Sequence, residues 1–126
     1  MLLRRISLLL ALAWMAWLFY LSHQPGLDVP ALFKWQDKVF HAGVYGILGI
    51  LLLAAMPLTP NGFTWRQVSI AAVIASLYGI SDEFHQSLIP GRSAEVGDWL
   101  ADTVGALLAA LLLAQLSRRY RKMAIE

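Results

Sequence analysis

The chemistry of this sequence is concentrated in three short stretches. Residues 78–86 read YGISDEFHQ and set Asp82, Glu83, His85 and Gln86 within five positions. Asp98 and Asp102 stand four apart, as do Asp37 and His41, and Lys38 sits beside Asp37. A four-residue step on a helix places side chains one above the other, so each pair shares a face. Arg92 follows Pro90-Gly91, a strong turn signal. Three kinds of chemistry fit this set. Carboxylates with imidazoles hold a divalent cation, since oxygen ligands suit magnesium, calcium or manganese and imidazole widens the choice. A histidine beside a carboxylate, His41 or His85, acts as a general base. Arg92 and Lys38 grip a phosphate, the guanidinium with its planar fork. The plain alternative is an internal lock without activity, with Arg92 on Asp82 or Glu83 and Lys38 on Asp98. No spacing here is a recognised metal signature, so neither a catalytic residue nor a metal is assigned. The candidate ligand-binding residues are Asp37, Lys38, His41, Asp82, Glu83, Gln86, Arg92, Asp98 and Asp102. His23 reads as a solvated histidine.

The elements that position these residues are apolar. Residues 6–27, 39–65 and 67–81 contain no Asp, Glu, Lys or Arg, and residues 99–117 contain only Asp102. A membrane-spanning helix needs about 20 mostly apolar residues. The first, second and fourth runs meet that length; the third has 15 residues and must continue into Asp82 and beyond. The composition agrees: 59% of the 126 residues are hydrophobic and 14% charged, where a soluble domain carries roughly a quarter charged. There is no cysteine, which excludes disulfides and cysteine-ligated metals. The first run resembles a signal peptide, but Trp14, Trp17, Phe19 and Tyr20 are bulky where cleavage wants small residues. It reads as an uncleaved helix with an aromatic belt. Trp35 and Trp65 read as interfacial anchors.

The expected fold is therefore an all-α polytopic membrane protein. It is one domain over residues 1–126, an antiparallel bundle of four transmembrane helices at about 6–22, 37–56, 66–86 and 98–117. Cytoplasmic flanks are enriched in Lys and Arg. With the N-terminus inside, Arg4, Arg5, Arg66, Arg118, Arg119, Arg121 and Lys122 lie inside, and only Lys34, Lys38 and Arg92 outside. Both termini are then cytoplasmic. The outer face receives Asp28, Asp37, Asp82, Glu83, Glu95, Asp98 and Asp102, seven of the eight acids.

The acids differ in how well their places suit them. Asp82 and Glu83 end a helix, where the macrodipole opposes negative charge, and charges at that depth need a partner, a proton or a metal. Asp37 and Asp98 begin helices, where capping alone explains a carboxylate. Asp102 lies one turn deeper, on a face continued by Gly105 and Ala109, so Asp98 and Asp102 are expected to point into the bundle. Gly43, Gly46 and Gly49 suggest close packing of the second helix, and Tyr45 stands where it could bond to His41.

At these residues the sequence resembles the VanZ-like family of small bacterial membrane proteins, named for a member linked to low-level teicoplanin resistance. The resemblance rests on Ser22-His23-Gln24-Pro25, on Asp37-Lys38 with His41 and Tyr45, and above all on YGISDEFHQSLIPGRSAEVGDWLADTVG, residues 78–105. Asp102 departs from it, since Asn is expected there. The resemblance implies a four-helix bacterial membrane protein with a role in the cell envelope and a link to glycopeptide resistance; it implies no reaction. Three functions follow as expectations. The first is binding or altering a lipid-linked or phosphate-bearing envelope molecule at the outer face of the cytoplasmic membrane. The second is a membrane-surface enzyme using a histidine and carboxylates, with a divalent cation as its possible cofactor. The third is a structural or partner-binding protein, with glycine-rich helices open to oligomer formation. The lipid bilayer is the expected environment, and no nucleic-acid partner is expected.

Overall fold

The computed structural model describes residues 1–25, 30 and 32–124. Asp28 and the terminal Glu126 lie outside the described residues. The chain forms four helices, α1 (Leu2–Ser22), α2 (Gln36–Ala54), α3 (Trp65–Gln86) and α4 (Val96–Met123). α1, α2 and α4 are long and apolar enough to cross a membrane. α3 has 22 residues, which is long enough, but its polar tail keeps it out of that class. The chain is a multi-pass membrane protein. Three helix ends depart most from expectation, the first being the start of α1 at Leu2, ahead of 6. α2 stops at Ala54, short of 56, and α4 runs on to Met123, so the RRYRK segment is helical. Its cations complement the negative end of the α4 dipole.

Side-chain pairs fix the helix directions. Trp14 Nε1 donates to the Val44 carbonyl at 2.9 Å and Arg4 Nε to that of Ala55 at 3.3 Å, so α1 and α2 run antiparallel. Trp99 Nε1 donates to Ser76 Oγ at 3.0 Å and Ser76 meets Thr103 at 2.8 Å, while Glu83 near the end of α3 accepts from the Glu95 N–H just before α4 at 2.8 Å, so α3 and α4 do too. Tyr78 donates to the Met15 carbonyl at 2.5 Å, holding α3 beside α1. Such bonds matter in lipid because no water replaces a lost partner.

The most extensive interface joins the parallel pair α2 and α4, and small residues make it. A methyl group on Gly105 would collide with the Ala42 backbone, and one on Gly49 would meet the Ala106 carbonyl at 2.5 Å. Hydrocarbon supplies no hydrophobic drive between helices, so close backbone approach is what holds them. Gly43 departs from expectation: a methyl group there would meet no other part of the bundle within 4 Å. On α4 the buried positions are Asp98, Asp102, Ala106, Ala110 and Ala114, while Leu100, Val104, Leu108, Leu112 and Leu116 are exposed, as a lipid-facing stripe should be.

At the basic end, the α2–α3 turn passes through Gly62, whose φ of +89° suits glycine. Thr64 caps α3 in a reciprocal box with Gln67. Arg118 donates to the Phe63 carbonyl at 2.8 Å and stacks over Trp65 at 4.3 Å, tying α4 to this turn. All six described acids lie at the opposite end of the bundle.

Candidate functional site

The α3 tail turns Asp82, Glu83 and Gln86 inward, each less than a tenth exposed. These positions lie on the face of Val68, Ala75 and Gly79, which is the buried face of the whole helix. His85 is about 100° from that face at 100° per residue. It packs instead on α1, with its ring 4.3 Å from Phe19 and its Nε2 3.2 Å from Nδ1 of His23. His85 is therefore not brought to the carboxylates, and His23, though exposed, has a partner.

Asp37, Lys38 and His41 come from the first turns of α2, and Asp98 and Asp102 from those of α4. Neither helix is capped by a side chain, so Asp37 and Asp98 act through charge in the first turn and not as caps. Lys38 Nζ reaches Asp37 at 2.9 Å, Glu95 at 2.6 Å and Asp98 at 2.7 Å. An ammonium has three N–H donors, so the three carboxylates satisfy it fully. The expected Lys38–Asp98 contact is present. Glu95 joins it although it was not among the candidates; its place just before α4, three residues from Asp98, is the signal that points to it.

One turn deeper, His41 Nδ1 lies 3.0 Å from Oδ1 of the fully buried Asp102. A carboxylate only accepts, so Nδ1 carries the proton. Glu83 Oε2 accepts the Glu95 backbone N–H at 2.8 Å. Glu83 Oε1, Asp102 Oδ2, Asp82 Oδ1 and the Tyr45 hydroxyl are buried with no hydrogen-bond partner among the described residues. The expected bond between Tyr45 and His41 is therefore not formed.

Arg92 forms no salt bridge with Asp82 or Glu83. Its Nη1 donates to the carbonyls of Leu21 at 3.1 Å and Gln24 at 3.3 Å, and its Nη2 to Gln86 Oε1 at 2.9 Å. Gln86 in turn donates to Asp82 Oδ2 at 3.3 Å. The amide thus relays between guanidinium and carboxylate, and Arg92 straps the α3–α4 loop to the end of α1.

A family model matches residues 7–117, most of the chain. The chain belongs to the VanZ/LLP1 family. The match takes in all nine candidate residues of this VanZ-like protein and stops before Arg118. No curated protein and no solved structure matches the chain.

In this VanZ-like chain the candidates border a cavity of about 650 Å³. Leu18, Leu21, Phe33, Phe40 and Val44 give it apolar lining. His41, Tyr45, Asp82, Gln86, Arg92 and Asp98 give it polar lining. Lys38, Glu83 and Asp102 stand behind that polar lining, bonded to its members or neighbours.

Proposed function

We propose that this VanZ-like protein lies in the bacterial cytoplasmic membrane with both termini inside, and that its outer cavity binds the polar end of a lipid-linked envelope molecule. The cavity's mixed lining, apolar and polar, carries the reading. An amphiphile needs an apolar surface for the start of its chain and a few polar groups for its head, and Arg92 stands in the polar lining ready for a phosphate. The orientation is supported by the gathering of the basic flanks at one end and the acids at the other. A chain that holds such a molecule changes how much of it a glycopeptide reaches, which is the form a teicoplanin link takes here.

The test is thermal unfolding in detergent with a polyprenyl phosphate as probe. The lipid should raise the midpoint of the wild type, and the gain should vanish in Asp82→Asn and Arg92→Gln. An equal gain in both variants contradicts the reading. Orientation is checked in whole cells with an impermeant maleimide, because the chain has no cysteine of its own. Ser93→Cys should label from outside and Asn61→Cys should not.

The 3.0 Å contact of His41 with Asp102 favours a second reading, a membrane-surface enzyme with an oriented general base. His41 is on the cavity wall, where a substrate would meet it.

A further inference from the structure

His41, Glu83 and Asp102 each offer one ligand atom, and these atoms lie within 4.8 Å of one another. Zinc–ligand bonds of about 2.1 Å hold donors about 3–4 Å apart, so small side-chain rotations close the set. Burial and hydrogen bonding point the same way. Glu83 and Asp102 are more than nine-tenths buried, and each keeps one oxygen, Oε1 and Oδ2, without a partner among the described residues. A buried carboxylate oxygen left bare is costly, and a cation relieves it. His41 Nδ1 lies 3.0 Å from Asp102 Oδ1 while Nε2 is on the Asp98 side at 3.9 Å, so Nδ1 is the nitrogen that faces this set, and an ion there takes the place of the Nδ1 proton. Space has also been left for the carboxylate. A methyl group on Gly79 would stand 3.2 Å from Asp102 Oδ2.

The neighbouring acids supply a comparison. Asp37, Glu95 and Asp98 form a second set of three carboxylates, and there the Lys38 ammonium occupies the place of a cation. No lysine or arginine salt bridge reaches Glu83 or Asp102 among the described residues.

We propose that His41, Glu83 and Asp102 bind a divalent transition-metal ion, zinc or manganese, between α2, α3 and α4. One imidazole with two carboxylates is a borderline donor set, which selects these ions over magnesium and calcium. The site reaches the cavity through His41, so the ion lies behind the polar lining. The proposal does not rest on the lipid reading, and its test uses metal salts alone.

The full-length protein, purified and stripped with a chelator, is titrated with ZnCl2, MnCl2, MgCl2 and CaCl2. Equilibrium dialysis should give one Zn2+ or Mn2+ per chain, and the unfolding midpoint should rise with the logarithm of ion concentration. Glu83→Gln and Asp102→Asn should lose at least tenfold in affinity, while Arg66→Gln, at the opposite end of the bundle, binds as the wild type does. If Asp102→Asn fails to fold, Glu83→Gln and the wild-type stoichiometry still decide. Absence of binding to the wild type, equal response to Mg2+ or Ca2+, or undiminished affinity in Glu83→Gln overturns the proposal.

Discussion

Around Lys38 three carboxylates meet one ammonium at 2.6–2.9 Å, and one turn deeper Asp102 meets the imidazole of His41 and Glu83 meets the Glu95 backbone N–H. The two groups share helices, charge sign and the same end of the bundle, yet they are closed in different ways. The outer group is complete, with three donors and three acceptors. Two of its acids, Asp37 and Glu95, are more than half exposed, so water screens their mutual repulsion. The inner group is buried and leaves acceptors bare. A lock tolerates no missing partner, whereas a site keeps unsatisfied groups because its ligand satisfies them. On the proposal above, the chain carries one of each, a turn apart.

The largest expected effect comes from breaking the complete group. Lys38→Met should destabilise the fold by about 2–4 kcal/mol, because it strands Asp98, whose side chain is 10% exposed. That figure is below the usual cost of a stranded buried charge because the other two acids reach solvent. Chemical or thermal unfolding in detergent measures it, and a loss below 1 kcal/mol would remove the distinction between the groups. Next is Gly79→Ala, which presses on Asp102 Oδ2 and should cost roughly 1 kcal/mol. It should weaken Zn2+ or Mn2+ binding and leave the cost of Lys38→Met unchanged, since the two changes touch different groups. The smallest is Asp37→Asn. An exposed member of a three-acid set contributes a few tenths of a kcal/mol, and its removal should register only at low salt.

Much of this architecture is legible in the sequence because lipid leaves the chain few options. Four apolar runs give four helices, since the backbone must satisfy itself within each run. Asp98 and Asp102 are readable as inward because Gly105 beyond them marks a packed face, and that glycine does meet Ala42. Lys38 finds Asp98 because both begin helices at the same end. What the sequence leaves open depends on helix rotation and on backbone partners. His85 stands two residues from Glu83, and two steps of about 100° turn it away from that carboxylate, toward α1. Arg92 bonds to the carbonyls of Leu21 and Gln24, and a carbonyl has no signature among side-chain types. Tyr45, one turn from His41, points its hydroxyl elsewhere. The sequence puts the end of α4 near Ser117, where the apolar run gives way to RRYRK, but a helix leaving the membrane into water has no reason to stop there.

The most direct test of the account is to unfold Lys38→Met and Asp102→Asn beside the wild type, in one detergent with chelator present. The account predicts opposite outcomes. Lys38→Met should melt well below the wild type. Asp102→Asn should melt at or above it, because the amide removes a negative charge buried without a hydrogen-bond partner for Oδ2. If Asp102→Asn falls as far as Lys38→Met, the inner carboxylates are part of the same lock, and the claim that a ligand completes them is wrong.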